Sequence, residues 1–262
     1  MAKPPLLFIH GMWSTPAVWD DLVRHFEGEG YKCLAPALPF HERDGDNRET
    51  ADPLLATIGV QDYVDALCAA VREAPAPPVI IGHSMGAMLA QLLADCQDDM
   101  RAAGLVLLSP GPTADTGSVG LAPLRTTLGI TTKKNWWKSP TKIDPDRARW
   151  GIFNEVPEEV VQREIDALVW DSGRVLFQMS MPFADKTKAT KVDYDKLTMP
   201  ALVIVGDRDR ITPTATARRT ARRLKGDTDY VEIEGAGHWL FHDPVIGRVT
   251  EEVSRFLKTL DD

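Results

Sequence analysis

The chain is short of cysteine, of long apolar stretches and of positive charge, and each shortage closes off a class of protein. Only three cysteines, Cys33, Cys68 and Cys96, stand in 262 residues, and no two form a Cys-x-x-Cys pair. An odd number at wide spacing argues against a disulfide framework or a cysteine zinc site and favours a reducing compartment. All three are expected to be buried small hydrophobes, Cys33 in a strand and the other two in helices. The opening segment, MAKPPLLFIHG, is too short to be a signal-peptide core, and no run approaches the ~20 residues of a membrane span. Thirty bases against 38 acids give a net charge of −8. That balance disfavours a nucleic-acid partner, because phosphate contacts need clustered Lys and Arg. Internal repeats and low-complexity tracts are missing too. The expectation is a soluble, cytoplasmic protein, monomeric or homodimeric.

What the chain does have is ordinary globular composition, 44% apolar and 26% charged. Six short apolar runs recur along it: LLFIH (6–10), YKCLAP (31–36), PVIIGHS (78–84), GLVLLSP (104–110), ALVIVGD (201–207) and DYVEIEG (229–235). Continuous runs of this length suit strands covered on both faces, as in a parallel sheet. Helical periodicity separates them. Val60, Tyr63, Val64, Leu67, Cys68 and Val71 share one face, as do Val249, Val253, Phe256, Leu257 and Leu260. Alternating strands and helices predict an α/β fold with a mostly parallel sheet. Between residues 111 and 195 the rhythm stops. No strand-like run occurs there, EEVVQREIDALVW (158–170) is amphipathic, and four of the seven tryptophans are concentrated in it. The expected organisation is a core of residues 1–110 and 196–262 with a helical cap, 111–195, inserted between its halves.

Chemistry concentrates at the ends of the apolar runs. Gly82-His83-Ser84-Met85-Gly86 fits G-x-S-x-G and lies between a strand-like and a helical pattern. A sharp turn there strains the serine backbone and projects Oγ from the sheet's C-terminal edge, beside a helix N-terminus. A serine hydroxyl needs an adjacent base. His238 in GAGHW is favoured, because it sits just past the last strand-like run and Gly235 and Gly237 allow a tight turn. The competing His242 reads as a surface or helix-capping residue. An acid must then orient the base. Asp209 in GDRDRITP is favoured over Asp207, whose closeness to the strand end suits a turn-forming hydrogen bond. A tetrahedral intermediate needs two N–H donors, for which the backbone of Met85 and of Met12 in HGMW is expected. His10 should hold that loop in shape.

HGMW, GHSMG, GDRDRITP and GAGHW, in this order, resemble the α/β-hydrolase fold superfamily in its capped, lipase- and esterase-like branch. The likeness covers nearly the whole chain and carries the order Ser84, Asp209, His238. It departs from many members in entering directly at the LLFIHG strand, so about six strands are expected in place of eight. The resemblance implies a serine hydrolase acting on a small-molecule ester through an acyl-enzyme, with no metal or organic cofactor. Dehalogenases and epoxide hydrolases of this fold use an aspartate where this chain has Ser84, and are set aside. Thioesters, lactones, carbon–carbon bonds, perhydrolysis and a hydroxynitrile-lyase activity stay open on the same constellation. A ligand receptor on a retired scaffold is disfavoured by the intact set.

Two further groups frame the pocket. Met12, Trp13, His83, Met85 and Trp239 flank catalytic positions in sequence. Trp136, Trp137, Trp150, Phe153, Trp170, Phe177 and Phe183 supply the cap's aromatics, among which Trp136 and Trp137 are the candidate pocket residues. Apolar walls favour a hydrophobic substrate moiety. The basic run Arg218, Arg219, Arg222, Arg223 and Lys225 reads as a solvated helical face paired with acids. The charged segment 41–53 reads as a surface loop.

Overall fold

All six apolar runs become strands, and they lie side by side. The structure, a computed structural model, describes residues 3–44, 48–95, 102–117 and 120–260. The strands are β1 (Leu6–Ile9), β2 (Cys33–Leu34), β3 (Val79–His83), β4 (Gly104–Leu108), β7 (Ala201–Gly206) and β8 (Thr228–Ile233), with β5 (Pro140–Thr141) and β6 (Asp171–Ser172) forming a separate antiparallel pair. The main sheet runs β2-β1-β3-β4-β7-β8, parallel throughout. Every residue of β1, β3, β4 and β7 is buried. Such burial is possible only where helices cover both faces, which is why these strands carry no polar alternation.

The period-two geometry of a strand sorts the apolar residues into two cores. Leu6, Phe8, Val79, Ile81, Val106 and Leu108 face one way, packed with Trp19, Phe26, Val249, Val253 and Phe256. Trp19 sits just before α1 (Asp20–Gly28), which contributes Phe26, and the other three lie on α9 (Val245–Thr259). Leu7, Ile9, Ile80, Leu105, Leu107 and Val203 face the other way, toward Tyr63, Leu67, Leu89, Leu93 and Ala217. Those belong to α2 (Val60–Arg72), α3 (Met85–Asp95) and α8 (Thr214–Arg223). Nearly all of α3 is apolar, and all but its last residue are buried, because it lies between the sheet and the helices outside it. No helix among the described residues is long and apolar enough to cross a membrane.

After β4 the chain leaves the sheet and rejoins it at β7. The excursion holds α4 (Leu121–Thr131), α5 (Pro145–Gly151), α6 (Glu158–Asp166) and α7 (Gly173–Ser180), plus the β5–β6 pair. Two-residue strands carry too few side chains to leave a periodic trace, so the expectation of a wholly helical segment needs this correction. Within 158–170 the helix ends at Asp166, where Val161 and Ile165 have already buried its apolar stripe.

Other expectations shift as well. Cys33 and Cys68 form no disulfide and are only partly buried, because β2 is a two-residue edge strand and Cys68 lies at the flank of α2's apolar stripe; Cys96 lies outside the described residues. Partial burial and the nearby Glu27 push the Cys33 thiol up to about 12. Segment 41–53 is exposed over most of its described length, yet its first residue, His41, is fully buried. Part of the basic run on α8 pairs with acids, Arg218 with Glu232 at 2.6 Å and Arg223 with Asp115 at 3.4 Å, and just beyond the helix Lys225 meets Asp195 at 3.1 Å; Arg219 instead donates to the Gly117 carbonyl.

Candidate active site

Parallel strands end on one edge, and the turns that leave β1, β3, β7 and β8 there meet. Between β3 and α3, Ser84 has φ of +55°, the left-handed region, a strain of about 1–3 kcal/mol for a residue with a Cβ. The flanking glycines make the turn possible. A Cβ on Gly82 would come within 2.3 Å of the Gly86 carbonyl, and one on Gly86 within 2.1 Å of the Ile9 carbonyl. Backbone hydrogen bonds hold the elbow from outside, with Ser84 N–H donating to Leu108 O and Gly111 N–H to Ser84 O.

Past β8, a turn through Gly235 (φ +75°) brings His238 back over the elbow. His238 Nε2 lies 3.0 Å from Ser84 Oγ, and Nδ1 lies 2.8 Å from Asp209 Oδ2. Both His238 and Asp209 are buried. The geometry sets the tautomer: Nδ1–H donates to the carboxylate, which leaves the Nε2 lone pair for the serine hydroxyl. Burial alone would raise the Asp209 carboxyl, but the His238 ring and the hydrogen bonds from His238 and Thr212 outweigh it and hold the group below the usual carboxylate range. Asp209 therefore stays ionised. Asp207, two residues upstream, points outward and accepts from Gly235 N–H at 2.8 Å.

Thr212 was not singled out from sequence, yet it braces the acid. Its N–H and that of Ile211 both donate to Asp209 Oδ1, at 2.7 and 2.8 Å. Its hydroxyl sits 2.8 Å from Asp209 Oδ2 and 3.0 Å from the Ser109 carbonyl. An aspartate followed by donors two and three residues on is an Asx-type turn, a signal already present in D-R-I-T. His83 braces the base. Its Nε2–H donates to the His238 carbonyl at 3.1 Å, and complete burial, with His238 adjacent, lowers its pKa to about 3. It is a neutral ring that fixes the His238 loop.

The β1 turn supplies the remaining wall. Neither Met12 N–H nor Met85 N–H has a hydrogen-bond partner among the described residues. Behind Met12, Trp13 adopts φ of +59° and gives its N–H to Asp171 Oδ2 at 3.0 Å. Asp171 also accepts from the Tyr63 hydroxyl at 2.7 Å and makes a buried ion pair with His41 at 3.1 Å. Burial opposes the charge on each, but their mutual attraction prevails and moves His41 up and Asp171 down. His10 bonds the Gly11 carbonyl through Nδ1 and accepts Leu38 N–H at Nε2. Burial and the neighbouring His41 lower it to about 3, so it is neutral scaffolding for this turn.

Two chambers adjoin Ser84. Trp13, His83 and Trp239 line a small one of 30 Å³ with Met12 and His238. Trp136 and Trp137 line a large one of 1040 Å³, together with Leu124, Leu176, Met179 and Ile211. Phe177 packs against both tryptophans, Phe153 against Trp239, and Phe183 stands exposed at the large cavity's rim. Trp150 serves neither chamber; Arg125 and Arg210 lie against its ring at 4.1 and 4.9 Å. His242 is buried, not superficial, and its carbonyl accepts Ile246 N–H at 2.8 Å at the start of α9. No cluster of His, Cys, Asp and Glu suited to a metal ion occurs among the described residues.

This sheet, elbow and His–Asp arrangement are those of an α/β hydrolase, and the chain belongs to the alpha/beta hydrolase family, whose profile matches residues 6–246. Among individual relatives, lipase LipV of Mycobacterium tuberculosis is 29% identical over 184 residues, 68% of this chain and 62% of its own length. The chain thus spans less than two thirds of that relative. The pimeloyl-[acyl-carrier protein] methyl ester esterase of Xylella fastidiosa is 25% identical over 98% of this chain and 96% of its own. Among solved structures, a monoacylglycerol lipase from Paleococcus ferrophilus superposes with a TM-score of 0.69 at 24% identity, over 98% of this chain and 96% of its own.

Proposed function

We propose that this protein is a serine esterase whose catalytic residues are Ser84, His238 and Asp209. The observation that carries the reading is the continuous relay from Ser84 Oγ to His238 at 3.0 Å and on to Asp209 at 2.8 Å, at the foot of an apolar cavity. His238 Nε2 takes the Ser84 proton as Oγ bonds to the ester carbonyl carbon. The carbonyl oxygen, now negative, is held by the Met12 and Met85 N–H groups. The carbon–alkoxy bond then breaks, the leaving oxygen takes the proton back from His238, and an acyl-enzyme remains. Water, deprotonated by the same nitrogen, adds to the acyl carbon, and the Ser84 bond breaks to release the acid. Asp209 stabilises the imidazolium at both stages.

Residues 111–195 act in this reading as a cap, since Leu124, Trp136, Leu176 and Met179 from that segment form much of the cavity wall around Ser84. The lipase and esterase relatives support hydrolysis of carboxylic esters, and the apolar cavity wall favours hydrophobic groups on them. That Cys33 and Cys68 are not joined in a disulfide supports a reducing compartment such as the cytoplasm.

The test is a methyl ester series from acetate to palmitate, acid release followed by titration, run before and after a serine-directed fluorophosphonate with intact mass recorded. Turnover that disappears as one adduct forms on Ser84 is the expected result. Turnover persisting in fully labelled protein, or in Ser84→Ala, would remove the serine mechanism.

A further inference from the structure

Ser84 stands between two chambers whose sizes differ by more than an order of magnitude, 1040 Å³ against 30 Å³. We infer that the enzyme is selective for esters of a large apolar acid with a very small alcohol, the acyl chain lying in the large cavity and the alkoxy group in the small chamber. The inference rests on the esterase reading above.

The assignment follows from which chamber His238 borders. Four groups surround the tetrahedral carbon: Ser84 Oγ, the oxyanion, the leaving oxygen and the acyl chain. The leaving oxygen must receive its proton from His238 Nε2, so it lies on the His238 side. The oxyanion must reach the Met12 and Met85 N–H groups. His238 and Met12 both wall the small chamber, and neither borders the large cavity. The fourth direction is therefore the large cavity, and only the acyl chain is left to take it. Its lining suits that occupant: Trp136, Leu176, Met179 and Ile211 near the base, then Leu124 and Phe183 exposed at the rim.

Size limits the other side. The small chamber, at 30 Å³ against 1040 Å³ for the large cavity, has room for a water or a short alkoxy group and not for a long chain. That matches its second duty, because the hydrolytic water must enter where the alcohol left, beside the same His238 nitrogen. The limit is set by side chains. Trp13, Ser14, Leu168 and Trp239 wall the small chamber and also a separate cavity of 270 Å³ beyond it. Leu168 is 5% exposed and stands in the partition between them.

Three isomeric esters read the asymmetry directly: methyl octanoate, butyl pentanoate and heptyl acetate. They share composition and differ in where the carbonyl sits along the chain. The kcat/KM is expected to fall in that order, with about a 100-fold span between the ends. Equal rates, or a preference for heptyl acetate, each abolished by Ser84→Ala, would overturn the chamber assignment and leave the esterase standing. Failure to hydrolyse any of the three would overturn both. Leu168→Ala joins the small chamber to the 270 Å³ cavity. It is expected to raise the heptyl acetate to methyl octanoate ratio about 10-fold, and the milder Leu168→Val is expected to move it the same way. An unchanged ratio in both variants, each still taking one fluorophosphonate on Ser84, would place the alcohol elsewhere and overturn the inference.

Discussion

Among the described residues two histidine–aspartate pairs lie buried, and they match at one end only. His238 meets Asp209 at 2.8 Å, and His41 meets Asp171 at 3.1 Å. The difference is what each ring meets on its far side. His238 presents a nitrogen to the Ser84 hydroxyl at 3.0 Å, with chambers on either side. His41 gives its other nitrogen to the Pro39 carbonyl at 2.8 Å, and its ring is sealed from solvent. A carbonyl oxygen offers no proton and attacks nothing. Asp171 is also fully engaged, by the Tyr63 hydroxyl and the N–H groups of Trp13 and Ser172. The lesson is that a buried His–Asp contact is a general device for holding a ring and a charge. It becomes a catalytic base only where the second nitrogen faces a nucleophile in an open chamber. The other pair spans 130 residues of sequence and ties the 41 loop, α2 and the excursion to the Trp13 turn.

The sharpest separation of the two pairs is in rate. Ser84→Ala and His238→Ala should each lower ester turnover on the order of 10⁶-fold, and Asp209→Asn on the order of 10⁴-fold, in protein that remains folded. His41→Gln should leave turnover within about tenfold of wild type, because its ring touches no reacting atom. Steady-state kinetics on methyl octanoate checks all four. A His41→Gln loss as deep as that of His238→Ala would erase the distinction.

In stability the ranking reverses. Removing one partner of a fully buried ion pair strands the other charge and costs about 3–5 kcal/mol. Asp171→Ala is therefore expected to lower the urea midpoint far more than Ser84→Ala, which loses a single hydrogen bond and relieves a strained serine only in part. Equal midpoints would mean that water already reaches the His41 site.

How much of this was legible beforehand depends on whether the cause is local. The sheet was, because strands buried on both faces must be apolar, and β1, β4 and β7 are throughout, as β3 is up to His83. Ser84 was, because the two glycines that let the elbow close are its neighbours in sequence. Asp209 and His238 stood out because each follows a strand-like run. The second pair was not. His41 opens H-E-R-D-G-D-N, whose composition reads as surface, and what buries it is Asp171, far away in the chain. Asp171 has no local mark at all. Nor could composition sort Trp136 and Trp137 from Trp150, since a cavity wall, a packed core and a cation-bearing surface all accept an indole.

Protonation separates the histidines further. His10 and His83, lowered to about 3 by burial and by a neighbouring ring, refuse protons that the unfolded chain accepts below about pH 6.5. Each thus removes stability as pH falls from 6.5 toward 3. His41 has the opposite sign. Its raised pKa means its contribution is complete below about 6.5 and is lost as pH rises through the folded value. Asp171, lowered, contributes above about 3.8 and loses that as pH falls through its own folded value. Thermal melts at several pH values should therefore show wild type losing Tm from pH 7 to 4. The gap between wild type and His41→Gln should narrow as pH rises above 6.5. A gap that widens there would mean the ring is buried neutral and the pair is no ion pair.

The smallest effect is expected at the other aspartate of GDRDR. Asp207 accepts Gly235 N–H at 2.8 Å on an exposed turn, so Asp207→Asn keeps an acceptor oxygen in place and should change stability by less than about 1 kcal/mol. Activity should stay within about threefold of wild type, against the large loss expected of Asp209→Asn. The value of the pair lies in that contrast. Both carboxylates follow the same strand, two residues apart, and each ends on the loop that carries His238. One holds the backbone of the loop and the other holds the ring. If Asp207→Asn were the more damaging substitution, the acid would act from the turn, and the buried position of Asp209 against His238 Nδ1 would have to be a resting arrangement that rearranges before reaction.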